Sequence, residues 1–120
     1  MTPPPHSSLA SERLLTAEAV TTALDPLPLD PASVLSGEPT AGIRSLTRHG
    51  PTDVGIWELT PGVVTDVESD EVFVLLAGHG TVTFADGSSI ALRPGTVVRL
   101  VAGDRTTWEI TETLRKIYVA

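Results

Sequence analysis

The chain contains no cysteine, and this absence removes several kinds of chemistry at once. Without thiols a protein has no disulfide bonds, no cysteine nucleophile and no cysteine-ligated zinc site. The lack of cysteine fits the reducing cytosol, although secreted proteins without cysteine also exist. The first ten residues, MTPPPHSSLA, lack the basic and apolar segments of a signal peptide, and no apolar run is long enough to span a bilayer. We therefore predict a cytoplasmic protein.

Positive charge and aromatic residues are also scarce. Eight Lys and Arg stand against 15 Asp and Glu, which gives a net charge of −7. Because such a protein is repelled by phosphate backbones and by anionic lipid, we expect neither a nucleic-acid partner nor a membrane partner. Aromatic residues make up only 4% of the chain, so each one is informative about the core or about a binding site.

The first quarter of the chain differs in composition from the rest. Residues 1–24 are predicted to form a tail, with disorder over the Pro- and Ser-rich residues 1–8 and a short helix within residues 9–24. The segment 25-DPLPLDP-31 follows, and three prolines in seven residues exclude a helix or a central strand. We predict that this segment is an extended arm lying over the body of the protein.

From Gly42 onward the chain consists of short β-rich runs separated by turn signals. The turn signals are HGPT, TPG, GHG, DG, RPG and AGD, and Asp86-Gly87 is typical of a β-hairpin. The predicted strands cover 43–48, 53–59, 63–68, 71–77, 81–85, 88–92, 96–101, 105–110 and 114–119. Many short strands at even spacing predict a closed β-barrel or a β-sandwich.

Two stretches resemble the paired motifs of the cupin superfamily. Glu71, six residues and Gly78 match the second half of the motif H-x-H-x(3–4)-E-x6-G, and residues 95–110 follow the frame of G-x5-P-x-G-x2-H-x3-N. The segments GIWELTPG, EVFVLLAG, TWEI and TLRKIYV resemble the small cupins of the ureidoglycine-aminohydrolase-like and ethanolamine-utilisation-like branch. The resemblance covers residues 25–120. It implies an all-β fold, a cupin jelly-roll β-barrel with a short N-terminal arm.

The chain departs from this family pattern at the metal ligands. Of the usual ligand set, only Glu71 is present. The two histidines of the first motif are replaced by Thr65 and Val67, or by Val64 and Asp66 if the spacer is the longer one. The histidine of the second motif is replaced by Thr106, and its asparagine by Ile110. Hydroxyl and methyl groups are poor substitutes for the imidazole nitrogens that bind transition metals. We therefore predict no metal and no cofactor at this site.

Glu71 and Lys116 are the predicted catalytic residues. Glu71 shares a strand face with Phe73, and the family frame makes this face the barrel interior. A desolvated carboxylate there is suited to act as a general acid or base, whereas at the rim it would only form a salt bridge. Lys116, if it faces inward, would neutralise Glu71, hold an anionic substrate or act as a base. Lys116 and Arg115 take opposite faces, and the sequence leaves open which one is inside.

Four further residues are predicted to bind substrate: Trp57, Thr106, Trp108 and Tyr118. Thr106 and Trp108 share a strand face, and an inward Trp108 would offer a flat wall to a planar or sugar-like ligand. The alternative is plain barrel packing. The orientation of Trp57 depends on whether Gly55 marks a β-bulge.

The other acidic residues and the histidines receive less weight. Asp66, Glu68 and Asp70 are expected on a solvated strand end, although Asp66, Glu68 and Glu71 would make an oxygen-ligand metal site if they met. The three histidines lie in the tail or in predicted turns, at His6, His49 and His79.

The sequence thus favours a cupin that binds a small molecule. The first hypothesis is a metal-independent enzyme, of isomerase, epimerase or hydrolase type, that acts on a small polar metabolite. The alternatives are a non-catalytic ligand-binding or accessory module and a metal-dependent cupin with a carboxylate-rich site. Catalysis is not separated from binding, and the substrate is not identified. A homodimer is expected because the apolar run 72-VFVLL-76 would otherwise present valines to water.

Overall fold

The computed structural model describes residues 8–120, and the predicted disorder of the preceding residues lies outside this range. Within the described range the structure is almost entirely β, which confirms the predicted fold class. None of the helices in this part is long and apolar enough to cross a membrane. The elements are α1 (Leu9–Arg13), β1 (Asp25–Leu27), the 3-10 helix η1 (Pro31–Ser33), β2 (Val34–Ser36), β3 (Ala41–His49), β4 (Thr52–Leu59), β5 (Gly62–Val67), β6 (Glu71–Phe84), β7 (Ser89–Leu92), β8 (Val97–Leu100) and β9 (Arg105–Val119).

Two long strands, β6 and β9, organise the sheet. They pair antiparallel from Val72 opposite Val119 to Phe84 opposite Thr106. Strand β9 also pairs with β5 along its first half and with β4 along its second half, while β6 pairs with β7 and β8. Beyond β4 lie β3 and then β1, and beyond β5 lies β2, which gives the order β1-β3-β4-β9-β5-β2. The sheet therefore curls around one interior, as the predicted jelly-roll barrel requires.

The predicted turn at 78-GHG-80 is wrong. Strand β6 runs through it, and the predicted strands 71–77 and 81–85 are one element. Gly78 has φ +93, and a Cβ there would collide with the backbone of Thr113 and Leu114. Glycine here therefore permits close approach of β9 with a shift of register, rather than a reversal of the chain. His79 accordingly lies on a strand, exposed, with Nδ1 2.9 Å from Glu112 Oε2.

The N-terminal segment forms less helix than residues 9–24 suggest. Helix α1 has five residues, and none of them is buried. Leu14 and Leu15 remain 63% and 50% exposed, because their stripe meets no core. The proline-rich segment that follows is extended. Its residues 25–27 pair with β3, and Leu29 packs against the hydrophobic core.

Alternation along β6 separates an interior face from an outer face. Phe73 and Leu75 are fully buried at 0% and 1% exposure, whereas Val72 and Val74 are 41% and 38% exposed on the outer face. Burying a side chain of this size contributes about 1.5–3 kcal/mol to stability. Glu71 has the same parity as Phe73, so the strand carries its carboxylate to the interior side.

Candidate functional site

The barrel interior contains a cavity of about 1030 Å³. Residues 27–30, 32 and 33 form one part of its wall, and strands β4, β5, β6 and β9 form most of the rest. Ile43 of β3 and the segment at residues 68–69 also contribute. All six residues that the sequence suggests for catalysis or binding line this cavity: Trp57, Glu71, Thr106, Trp108, Lys116 and Tyr118. The fold therefore brings these side chains together around one space large enough for a small molecule.

Lys116 is the cation that faces the interior, and Arg115 faces the opposite side of the sheet. Residues that lie opposite each other on paired strands share a face of the sheet. Lys116 lies opposite Trp57 of β4, whereas Arg115 lies opposite Glu58. Lys116 is only 4% exposed, and its Nζ donates a 2.6 Å hydrogen bond to Oε2 of Glu71. The buried pair leaves neither the ammonium nor the carboxylate uncompensated.

Three aromatic rings surround the same ammonium. Lys116 Nζ lies 4.5 Å from the ring centroid of Phe73, 4.6 Å from that of Trp57 and 5.0 Å from that of Trp108. Each distance is within the range of a cation–π interaction, so the rings contribute to holding the ammonium in place. The two indoles are tilted by 55° with centroids 5.8 Å apart. They enclose Lys116 rather than forming a parallel slot for a flat ligand.

Glu68 lies inside the barrel, so its expected place on a solvated strand end is wrong. It is 9% exposed and lines the cavity. Strand β5 ends at Val67, and the chain then turns inward, held by Glu68 N–H to Asp104 O at 2.8 Å and by Gly103 N–H to Glu68 O at 2.9 Å. Alternation does not apply beyond the end of a strand, and the sequence carries no other signal for this turn. Asp66 remains exposed, as expected.

The carboxyl group of Glu68 is largely buried and accepts hydrogen bonds from two donors. Thr106 Oγ1 donates to its Oε2 at 2.6 Å, and Trp108 Nε1 donates to the same oxygen at 3.1 Å. Burial raises the pKa of Glu68, and these two hydrogen bonds only partly oppose that effect. The site therefore favours a neutral Glu68 more strongly than water does.

Trp108 connects the two carboxyl groups of the cavity. Its ring contacts the ammonium that is paired with Glu71, and its indole nitrogen bonds Glu68. One carboxyl thus has a cation within hydrogen-bonding distance, and the other is desolvated beside neutral donors. Environments that differ in this way are how enzymes give an acid role and a base role to two carboxyl groups of the same type.

Tyr118 closes another part of the wall through Asp53, a cavity residue that our sequence analysis missed. The Tyr118 hydroxyl donates to Asp53 Oδ2 at 2.9 Å. Burial, followed by this bond to Asp53, raises the pKa of Tyr118 to about 12. The bond from Ser45, followed by that from Tyr118, lowers the pKa of Asp53. Asp53 has the same strand parity as Trp57, and this alternation is the signal that could have found it.

Gly55 is needed where Tyr118 crosses β4. A Cβ at Gly55 would collide with the hydroxyl and ring of Tyr118 and with the carbonyl oxygen of Arg44. The register shift that the sequence suggested at this point lies in the partner strand, between Ser45 and Thr47 of β3. Strand β4 therefore keeps its alternation, and Trp57 points into the cavity.

The side chains at the cupin ligand positions do not fit a divalent transition metal. The Glu71 carboxylate is bound by the ammonium of Lys116, and the Thr106 hydroxyl donates to Glu68. Among residues 8–120, no three His, Cys, Asp or Glu side chains lie close enough together to hold an ion. The hypothetical oxygen site of Asp66, Glu68 and Glu71 is therefore not formed.

Comparison with known proteins places the chain in a family. The model of the EutQ-like cupin domain matches residues 46–118. The chain belongs to this family. No curated protein matches it, so this cupin takes no function from a characterised relative.

Solved structures share the fold of this cupin. A protein of unknown function from Pseudomonas syringae pv. tomato, of the DUF861 family, superposes with a TM-score of 0.73 at 25% identity, covering 82% of this chain and 44% of that one. This cupin therefore spans less than half the length of that protein. A protein of unknown function from Rhizobium leguminosarum gives a TM-score of 0.60 at 26% identity, with 66% and 78% covered. A candidate ethanolamine utilisation protein Q from Salmonella typhimurium superposes with a TM-score of 0.60 at 19% sequence identity, and the match covers 68% of each chain.

Proposed function

We propose that this cupin is an acid–base enzyme that moves protons on a small polar metabolite, of the isomerase or epimerase class. The observation that carries the proposal is the pair of carboxyl groups, Glu68 and Glu71, which line one cavity in different settings. Glu71 is bound by the ammonium of Lys116, whereas Glu68 is buried beside the neutral donors Thr106 and Trp108. An acid and a base held apart in one desolvated space can protonate one atom of a substrate while deprotonating another.

In the proposed reaction Glu71 is the base. Its carboxylate takes a proton from a carbon next to a carbonyl group, and the electron pair of the C–H bond moves onto the carbonyl oxygen. The neutral carboxyl of Glu68 donates a proton to that oxygen, so that an enol forms. In an epimerisation, a proton returns to the other face of the same carbon while Glu68 takes back the proton of the enol oxygen, which restores the carbonyl group. In an isomerisation, the substrate carries a hydroxyl on the first carbon. A proton then returns to the former carbonyl carbon while Glu68 takes the proton of that hydroxyl, which becomes the new carbonyl group.

Lys116 acts in this scheme as a fixed positive charge rather than as a base. Its Nζ lies 2.6 Å from Oε2 of Glu71 and within 5.0 Å of three aromatic ring centroids, so its position is fixed. A preorganised cation beside developing negative charge lowers the barrier without any reorganisation during the reaction. Of the roles that the sequence left open for Lys116, the scheme uses neutralisation of Glu71 and stabilisation of the substrate oxygen.

Exchange of carbon-bound hydrogen tests the proposal without knowledge of the physiological substrate. Small aldehydes, ketones and sugars are incubated with the protein in D₂O, and loss of the C–H signal next to the carbonyl is followed by proton NMR. We expect exchange with at least one compound, abolished in Glu71→Gln and retained in Glu109→Gln, which changes an exposed glutamate on β9 in the same way. Absence of exchange across the panel, or a stoichiometric divalent ion in the purified protein, would contradict the proposal.

The second candidate is a non-catalytic dimeric binding module. The exposed valines on the outer face of the sheet favour it, because Val72, Val74 and Val97 are 41%, 38% and 63% exposed on the adjacent strands β6 and β8. A second copy of the chain covering this face would remove them from water. Sedimentation of wild type and of Val74→Lys tests the dimer, and a monodisperse wild-type monomer would exclude it. Ligand binding without exchange would favour this module over the enzyme.

A further inference from the structure

We infer that the cavity selects an uncharged hydroxycarbonyl compound, one that presents oxygen acceptors to Lys116 and Glu68. The inference rests on the proposed function, because it names the class of substrate for the same site. It follows from which hydrogen-bond donors are buried at the site and which charges line the cavity.

The first donor is the ammonium of Lys116. An ammonium has three N–H groups. Within residues 8–120, its one hydrogen-bond acceptor is the carboxylate of Glu71, and three aromatic rings lie within 5.0 Å of its Nζ. A charged donor that is 4% exposed and lines a cavity is completed best by an oxygen of the ligand.

Glu68 is the second donor when its carboxyl group is protonated, a form that its burial favours more than water does. Both protein donors, Thr106 and Trp108, bond its Oε2. When the group is neutral, its proton is therefore best carried by Oε1, which then acts as a hydrogen-bond donor. Lys116 and Glu68 both line the cavity, so a ligand with two neighbouring oxygens, such as a hydroxyl next to a carbonyl, suits the pair.

The charges around the cavity disfavour an anionic ligand. Besides Glu68, the carboxylate side chains of the lining are Asp30, Asp53, Asp66 and Glu71, against the cations Arg105 and Lys116. Because Glu71 already neutralises Lys116, a carboxylate or phosphate ligand would meet net repulsion on entry. The same carboxylates attract a cationic ligand to the cavity, but beside Lys116 it meets the ammonium, which already occupies the faces of the aromatic rings. An uncharged ligand avoids both penalties.

The test compares three molecules of similar size that differ in charge: hydroxyacetone, lactate and 1-amino-2-propanol. Trp57 and Trp108 are the two tryptophans of the chain, and both line the cavity, so intrinsic fluorescence reports binding. For ligands this small we expect dissociation constants in the millimolar range. Hydroxyacetone should bind at least about tenfold more tightly than lactate or the amine, since a tenfold ratio corresponds to about one charge-assisted hydrogen bond.

The comparison uses wild-type protein, so it does not depend on whether a variant folds. Equal or tighter binding of lactate or of the amine would overturn the inference, and so would the absence of any fluorescence response. Deuterium exchange at the carbons of hydroxyacetone, measured on the same samples, separates the two proposals. Selective binding of hydroxyacetone without deuterium exchange would support the proposed ligand class and contradict the proposed enzyme. Deuterium exchange in hydroxyacetone, together with equally tight binding of lactate, would support the enzyme and contradict the ligand class.

Discussion

Strand β9 carries two adjacent buried cations that differ in how completely the protein saturates them. Arg115 and Lys116 are 8% and 4% exposed, and each forms an ion pair with a glutamate at 3.1 Å and 2.6 Å respectively. Arg115 also donates from Nη1 to the backbone oxygens of Ala19, at 3.0 Å, and Thr22, at 2.7 Å. Its guanidinium therefore fastens the N-terminal segment to the sheet.

Lys116 has no comparable set of backbone partners among the described residues. One carboxylate and three ring faces surround it, and it lines the cavity. Burial and an ion pair alone therefore do not mark a functional cation. What distinguishes the two is that donors remain beside an open space in one case and are consumed by the chain itself in the other.

The largest predicted difference between the two cations is in catalysis. Lys116→Met removes the charge beside Glu71, and we expect the exchange rate to fall by about 10²–10³-fold, as when one transition-state donor is lost. Arg115→Met is the matched control on the other face of β9, and it should keep an exchange rate within a few-fold of wild type. Proton NMR in D₂O measures both variants. Equal losses of exchange rate in the two variants would contradict a specific role for Lys116 in catalysis.

The next effect is on stability. Arg115→Met leaves Glu58 partly buried without its partner, and we expect the free energy of unfolding to fall by about 3 kcal/mol in urea denaturation. Replacing both partners, in Arg115→Met with Glu58→Leu, should recover much of this loss, because an apolar pair leaves no uncompensated charge. Amide hydrogen exchange should also become faster across residues 14–24 in Arg115→Met but not in Lys116→Met. Unchanged protection there would show that Arg115 does not hold the segment.

A smaller effect concerns the dependence of stability on pH. Burial raises the pKa of Glu68 above its ordinary 4.5, so the folded state holds this proton more tightly than the unfolded state does. The stability that neutral Glu68 contributes is complete below the unfolded pKa and is lost as the pH rises through the folded pKa. Glu68→Gln has no such proton, so its free energy of unfolding should decline less over that window. Parallel pH profiles of the two proteins, from urea denaturation, would refute the assignment.

The smallest effect is the titration of Tyr118, the one tyrosine of the chain. Its absorbance at alkaline pH should give a pKa of about 12. Asp53→Asn removes the acceptor charge that contributes to this value, so the pKa should move toward the ordinary 10.0 without reaching it, because burial remains. An unchanged titration in Asp53→Asn would mean that the hydrogen bond does not persist in solution.

The sequence predicted the fold and much of the cavity because alternation along a strand is a local property. Side chains alternate between the two faces of a strand, so the sequence alone shows that Glu71 and Phe73 share a face of β6. In the same way it shows that Thr106 and Trp108 share a face of β9. The choice between Arg115 and Lys116 could not be made in this way, because the sequence predicted strands 105–110 and 114–119 as separate elements. In the structure they are one strand, β9, on which Lys116 has the same parity as Trp108. The pairing of Lys116 with Trp57 and of Arg115 with Glu58 agrees with this.

Other features lay beyond what local patterns encode. Glu68 follows the last residue of β5, where the direction of the side chain is set by backbone bonds to the distant loop at residues 103–104. Gly78 and Gly80 resemble a turn in composition, yet they serve the close approach of β9. In both cases a partner distant in the chain decides the local geometry.

The proposed mechanism depends on two carboxyl groups in one cavity, of which burial raises the pKa of Glu68 while Glu71 is paired with the ammonium of Lys116. Titration of ¹³C-labelled glutamate side chains by NMR tests it most directly, with Glu68→Gln identifying the resonance. Because burial raises its pKa, the carboxyl signal of Glu68 should titrate clearly above the ordinary 4.5. A signal that titrates at or below that value would contradict it.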